Sequence, residues 1–233
     1  MLTLRVTRLL LVFVQEPVPG QVKPQLAKTL GSRNAITVHR ALVRVLLRQL
    51  SGLTDCRIRF CFAPDDAHDA VKFWLLPEIM DRPDITLDPA CVDFHPQGGG
   101  DHGQRLSRAI SQGFGEGFQK VAAIGTDCIE LSSRWIHAAF VQLNHRHEAV
   151  LGPTPGGRHH LIGLRKPLPD LLGSVPWASS AAYQVSLARA TEQAVPFYEL
   201  PPLPEVLTST DYKVALDGPL GPALRKAMEP LEA

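Results

Sequence analysis

Two short apolar runs limit what this chain can fold into more than any other feature. Residues 121–124 (VAAI) hold four small or β-branched apolar residues with no polar interruption, the pattern of a strand buried on both faces of a parallel sheet. The run ends in Gly125, Thr126 and Asp127, and Ser132 and Ser133 then cap a helical pattern of Trp135, Ile136, Ala139, Phe140 and Leu143. An acid just past the carboxyl end of a buried strand stands where open α/β sheets place their ligands. The same aspartate can instead do no more than close the turn with its side chain.

Residues 9–14 (LLLVFV) form a second such run, which feeds a proline- and glycine-punctuated loop at 15–20 (QEPVPG). Ser32 can cap the next helix, which carries Leu42, Val43, Val45, Leu46, Leu47 and Leu50. Arg40, Arg44 and Arg48 recur there every fourth residue and are expected on a solvated outer face. Strand two spans 57–62, and a helix follows with Val71, Phe73, Trp74 and Leu75. The three prolines of 77–89 predict a loop, and 91–95 is a weak strand. A glycine-rich loop at 97–106 (QGGGDHGQRL) then opens a helix with Leu106, Ala109, Ile110 and Phe114 inward.

Beyond 143 the alternation changes. Strands at 149–151 and 159–164 are joined by a connection too short for a crossover helix, so this pair is expected to be antiparallel. A helix from about 178 to 192, a strand at 196–200 and a turn or helix starting at 207–211 complete the pattern. The order predicts an α/β fold, a mostly parallel sheet with helices on both faces and late antiparallel strands. One domain is expected over 1–216, with a weakly ordered C-terminal tail at 217–233.

Composition removes several function classes. A net charge of +1 leaves no electrostatic footprint for nucleic acid or an anionic membrane. No run is long enough to cross a bilayer. Arg5 and Arg8 precede an apolar run of only six residues with no small-residue cleavage site after it, so no signal peptide is expected. The four cysteines (Cys56, Cys61, Cys91 and Cys128) form no CxxC pair and read as reduced thiols of a cytoplasmic protein. Neither a Walker A spacing nor a GxSxG elbow occurs. His145, His147, His159 and His160 lack partners at zinc-site spacing and read as surface or packing residues.

Three loops should gather at the strand ends: 15–26, 97–105 and 125–131. In the first, Pro19, Gly20 and Lys23 form PxPGxxK; the glycine lets backbone amides approach a phosphate and the lysine supplies a cation. The second offers Gln97, Gly98, Gly100, Asp101 and Arg105 at a helix start, where Asp101 is a candidate general base and equally a candidate N-cap. In the third, Thr126 accompanies Asp127, a candidate ligand for magnesium or manganese.

Taken together, LVF–PVPG–VK at 11–23, QGxGD–G–RL at 97–106, GTDC–L at 125–131, LGP at 151–153, LIGL at 161–164 and PW at 176–177 resemble a known family. The chain resembles the small bacterial GT-A-type nucleotide-diphospho-sugar transferases, which include arsenosugar-biosynthesis glycosyltransferases. It is more distantly similar to 2-phospho-lactate guanylyltransferase and molybdenum-cofactor guanylyltransferases. The resemblance implies a Rossmann-like GT-A three-layer sandwich and metal-assisted transfer of a sugar from a nucleotide diphosphate-sugar. A non-catalytic homologue that binds a nucleotide or a protein partner is the alternative, and a nucleotidyltransferase a second one.

The family pattern would place Asp127 on the metal and Lys23 on the phosphates. This chain departs from it at Gln15 (lysine in relatives), at Pro24 and Gln25 (threonine-arginine), and at Leu207 (aspartate). It departs again at Gly156, Gly157, Arg158, His159 and His160, where Asp-Gly-Gly and two tyrosines are the rule.

Overall fold

A computed structural model describes residues 6–229; Arg5 and the last four residues of the expected tail lie outside that range. The strands are β1 (Arg8–Gln15), β2 (Arg57–Ala63), β3 (Val92–Pro96), β4 (Lys120–Ile124), β5 (Ala149–Pro153), β6 (His159–Leu164) and β7 (Phe197–Glu199). They form one sheet in the order β3-β2-β1-β4-β6-β5-β7. β6 runs antiparallel to both neighbours, β4 and β5, and the other pairings are parallel. The fold is therefore the α/β, Rossmann-like mixed sheet that the sequence predicts, with the expected β5–β6 hairpin.

Parity along β1 divides the core. Leu10, Val12 and Val14 join Ile58, Phe60, Phe62, Ala122 and Ile124 on one face. That face is covered by α2 (Ser32–Gln49), α3 (His68–Met80) and α5 (Ser133–Gln142). Leu9, Leu11, Val121 and Ala123 pack on the other face, beneath α4 (His102–Gly115), α6 (Pro169–Leu172) and α7 (Ala182–Glu192). Cys56 and Cys61 go to opposite faces, as their spacing predicts.

The order places a topological switch point between β1 and β4. The chain leaves β1 towards β2 and β3 and returns to β4 on the other side. Loops leaving the carboxyl ends of β1 and β4 must then diverge, which opens a crevice between them. The 15–26 and 125–131 loops flank this crevice.

Several local expectations give way to tertiary contacts. α2 begins at Ser32 itself, with Gly31 as its cap, after a short helix α1 (Pro24–Leu30). α3 runs through Pro77 to Met80 rather than stopping before it. The carbonyl that Pro77 leaves without an amide belongs to Phe73, whose side chain is exposed, so water can serve it. α7 starts at Ala182, four residues later than expected. The stretch expected to be a weakly ordered tail forms α9 (Gly221–Met228), which follows α8 (Ser209–Asp217). Leu224 and Ala227 of α9 are buried against α2 with Val38 and Val45, because the second face of α2 is apolar as well.

The arginine stripe of α2 is not simply solvated. Arg44 grips Glu78 of α3 with Nε at 2.8 Å and Nη2 at 2.6 Å, and also bonds the Ala227 carbonyl; Arg48 pairs with Asp84. Burial raises the Glu78 carboxyl, but Arg44 and Arg82 outweigh it and hold it below the usual carboxylate range. An Arg44→Met variant should lose about 2–4 kcal/mol in urea denaturation, since it strands a buried carboxylate with Arg82 alone. A loss under about 0.5 kcal/mol, as for ordinary surface changes, would contradict this account.

Candidate functional site

At the switch point a cleft of two lobes opens over the carboxyl ends of β1 and β4. Phe13, His102, Gly125, Asp127 and Leu207 line both lobes, so the lobes are continuous. The first lobe, about 310 Å³, adds Gln15, Lys23, Pro24, Gln25, His39, Gln97, Arg105 and Thr126. Of the residues singled out in the sequence, Lys23, Gln97, Arg105, Thr126 and Asp127 meet here.

Lys23 is held tightly. Its side chain is 5 % exposed, and Nζ donates to Asp127 Oδ1 at 2.6 Å and to the Val206 carbonyl at 2.8 Å. Its backbone is left-handed (φ 49°), which a non-glycine residue adopts only where the surroundings enforce it. The Val206 amide in turn donates to the Asp127 carbonyl at 2.8 Å, so the segment before α8 closes the arrangement. Asp127 thus carries an ammonium on its carboxylate. Arg105 lines the same lobe with its Nε buried and unpartnered in the protein.

The glycine-rich loop is tied down by its own neighbours. Gln97 is buried, and its Nε2 donates to the Val14 and Cys61 carbonyls at 3.2 and 2.8 Å, stitching the ends of β1 and β2. Gly98 donates to Asp65, and Arg108 donates to the carbonyls of Gln97 and Gly99. Asp101 caps α4 in a reciprocal box with Gln104 at 2.9 and 3.0 Å. Pro19, Gly20, Gly98, Gly100 and Asp101 line neither lobe.

The second lobe, about 190 Å³, was not foreseen in the sequence. Its floor is apolar (Leu106, Ala123, Ile124, Leu161, Ile162) and one wall is aromatic. Rings follow one another from Phe13 to His102 (5.7 Å), Trp177 (5.6 Å), His159 (5.3 Å) and Tyr183 (5.2 Å). Both ring nitrogens of His159, Nδ1 of His160 and Nε1 of Trp177 are buried without a protein partner. Burial, helped by the neighbouring His160 and His102, lowers His159 to a pKa of about 4. Burial lowers His160 to about 4 as well, against its bond to the Pro201 carbonyl. The wall is therefore neutral at physiological pH and rich in hydrogen-bonding capacity.

Charge at the rim is already matched. Arg158, the one new cation near the β5–β6 turn, pairs with Glu205 at 2.8 Å, and Thr154 also donates to Glu205. Burial raises the Cys128 thiol to about 12, so this lining residue supplies no thiolate. The signals for this lobe were present in the Pro176–Trp177 pair and the adjacent histidines, but single aromatics carry no periodicity that locates them.

Asp127, the residue expected to hold magnesium or manganese, lines both lobes of the cleft. A hard divalent cation wants several oxygen ligands. Among the described residues no three His, Cys, Asp or Glu side chains are grouped to hold one. Asp127, the candidate ligand, has one oxygen committed to an ammonium.

Known structures share the architecture. A candidate nucleotide-diphospho-sugar transferase from Desulfovibrio desulfuricans G20 superposes with a TM-score of 0.77 at 24 % identity, over 95 % of this chain and 98 % of its own. The 4-diphosphocytidyl-2C-methyl-D-erythritol synthase of Anaerococcus prevotii gives 0.54 at 10 %, over 90 % and 95 %. Glucosyl-3-phosphoglycerate synthase of Mycobacterium tuberculosis, in complex with Mn2+, UDP and glucosyl-3-phosphoglycerate, gives 0.51 at 11 %, over 98 % and 82 %. At these identities the likeness is one of fold. No curated protein matches the sequence. A family model matches residues 46–179, more than half of the chain, and by that match the protein belongs to DUF2064, a family described as uncharacterized proteins conserved in bacteria.

Proposed function

We propose that this protein is a transferase acting on a nucleotide diphosphate-sugar, with the nucleotide in the Lys23–Arg105 lobe and the sugar against the aromatic wall. The observation that carries the reading is the continuity of two chemically different lobes across Asp127, His102 and Phe13. Lys23 and Arg105 supply positive charge for a diphosphate. A sugar presents hydroxyls and an apolar ring face together. The unpartnered nitrogens of His159 and Trp177 suit the first, and the rings of Phe13 and Trp177 suit the second.

In the transfer the bond between the anomeric carbon and the diphosphate breaks, a bond to the acceptor hydroxyl's oxygen forms, and the hydroxyl's proton passes to the leaving diphosphate or to solvent. The leaving diphosphate gains charge, and fixed cations beside it stabilise that change. The free thiols of Cys56, Cys61, Cys91 and Cys128 support a reducing, cytoplasmic setting. Nucleotide binding without turnover is the second reading. It draws support from Asp101, the candidate base, being engaged in the α4 cap.

Calorimetric titration with UDP-, GDP- and ADP-sugars and with the bare diphosphates tests the assignment of lobes. One base series should bind, and Trp177→Ala should weaken its nucleotide-sugar about tenfold, roughly 1.4 kcal/mol, while leaving the bare diphosphate within about twofold. The proposal fails if no series binds, or if Trp177→Ala weakens both ligands equally. Release of the diphosphate in the presence of an acceptor separates transfer from binding alone.

A further inference from the structure

The most unusual feature of the cleft is an ammonium seated on the carboxylate that a GT-A-like site would offer to a metal. Lys23 does not reach Asp127 by a flexible excursion. Its side chain is 5 % exposed, its backbone is fixed in the left-handed region at the head of α1, and Nζ is bonded on two sides. An ammonium has three N–H donors. Asp127 and the Val206 carbonyl take two, which leaves one for a ligand in the lobe that Lys23 lines.

A dication ligated by Asp127 would stand within a few ångströms of that fixed positive charge, where like charges repel strongly in a partly buried site. Withdrawing Lys23 to make room would break both of its bonds and force a buried cation elsewhere. The donor set offers no compensation, since no group of three metal-ligating side chains occurs among the described residues. Arg105 on the same wall, with its buried unpartnered Nε, adds a second cation for an anionic ligand.

We propose that the Lys23 ammonium, clamped between Asp127 and the Val206 carbonyl, takes the place of a divalent metal against the diphosphate, so that nucleotide binding needs no divalent metal. Asp127 is then a positioning residue: it aims the ammonium and does not ligate a cation. The inference rests on the nucleotide reading above, and the test is chosen to separate the two. Like-charge logic also gives Asp127 an unusual sign. A metal ligand would be lost with its carboxylate, whereas removing the negative charge beside a phosphate-binding ammonium strengthens the anion's attraction.

The probes are UDP, GDP, CDP and ADP, titrated calorimetrically into the whole protein with EDTA and separately with saturating MnCl2. For the diphosphate that binds, the two dissociation constants should agree within about threefold. Lys23→Met should weaken binding in EDTA by about 10–100-fold, the range for one charge-assisted bond. Asp127→Asn keeps a hydrogen-bond acceptor that aims Lys23 and removes the negative charge beside the anion, so in EDTA it should bind the diphosphate more tightly than the wild type, a readout that stands should the Met variant fail to fold. Tightening of wild-type binding by about tenfold or more on adding MnCl2, or a comparable loss in Asp127→Asn, overturns the metal-free inference and leaves the nucleotide reading standing. Absence of binding by every diphosphate in both buffers overturns the nucleotide reading and this inference with it.

Discussion

Lowering the pH from 6.5 towards 4 is expected to remove most of the stability of this fold. Burial holds His39, His159 and His160 at pKa values of about 4, against an ordinary value of 6.5. Well above 6.5, from about pH 7.5, the three rings are neutral in both the folded and unfolded states and the depression costs nothing. Between 6.5 and 4 the unfolded chain binds protons that the folded chain refuses, so stability falls as the pH falls. Each unit of depression is worth about 1.4 kcal/mol, which makes roughly 3 kcal/mol per histidine and a steepest slope near 4 kcal/mol per pH unit for the three together. Against a typical margin of about 5–15 kcal/mol, that is enough to unfold the protein in mild acid.

Urea denaturation at stepped pH reads the slope directly. A control isolates one ring: His159→Phe keeps the aromatic stack on Trp177 and Tyr183 but deletes two nitrogens that have no protein partner. It should leave stability at pH 7.5 unchanged or slightly higher, and cut the acid slope by about one third. A free energy that stays flat between pH 6.5 and 4.5 would refute the assignment of neutral buried imidazoles.

The sheet was readable because its signal is local. Residues 9–14 and 121–124 are apolar at both parities, and only a strand covered on two faces tolerates that. The five-residue connection between β5 and β6 forbade a crossover and so forced the antiparallel pairing of β6. Lys23 and Asp127 were likewise legible as residues at strand ends, but not as partners. Their contact spans 104 positions of sequence and depends on β1 and β4 being neighbours. Arg158 with Glu205 and Arg44 with Glu78 are pairings of the same kind, invisible to spacing within an element. The aromatic lobe was missed for a related reason. Phe13 leaves β1, His102 opens α4, Trp177 precedes α7 and His159 starts β6, so no single stretch holds more than one of them. Asp101 shows the opposite failure, since its cap role and its site role predict the same residue at the same place. The capping box with Gln104 decides where its oxygen goes.

Gly157→Ala should cost about 3–4 kcal/mol, whereas the same change one residue earlier should cost less than about 1 kcal/mol. Gly157 has φ +76°, a conformation that penalises alanine by about 1 kcal/mol. The larger part is steric. A Cβ there would stand 1.9 Å from the Ser180 carbonyl oxygen and 2.8 Å from its carbon, backbone atoms that cannot rotate aside. Relief means parting the β5–β6 turn from the segment before α7. That strains the bonds from the Tyr183 amide to the Gly157 carbonyl and from the Gly157 amide to the Thr154 carbonyl, both 2.9 Å, at about 1 kcal/mol each. At Gly156 the nearest atoms are Glu205 Oε1 and Arg158 Nη2, ends of side chains that can shift, and the backbone φ is not in the left-handed region. For a chain of this length the predicted difference corresponds to a melting temperature lower by about 10 °C for Gly157→Ala. The effect should reach the cleft as well, because the turn carries Thr154, Arg158 and His159 into the second lobe and the parted segment carries Trp177. In Gly157→Ala, nucleotide-sugar affinity should fall while that of the bare diphosphate holds, the same separation expected of Trp177→Ala. Equal melting temperatures for the two glycine variants would show that the turn and the α7 segment are not packed as described.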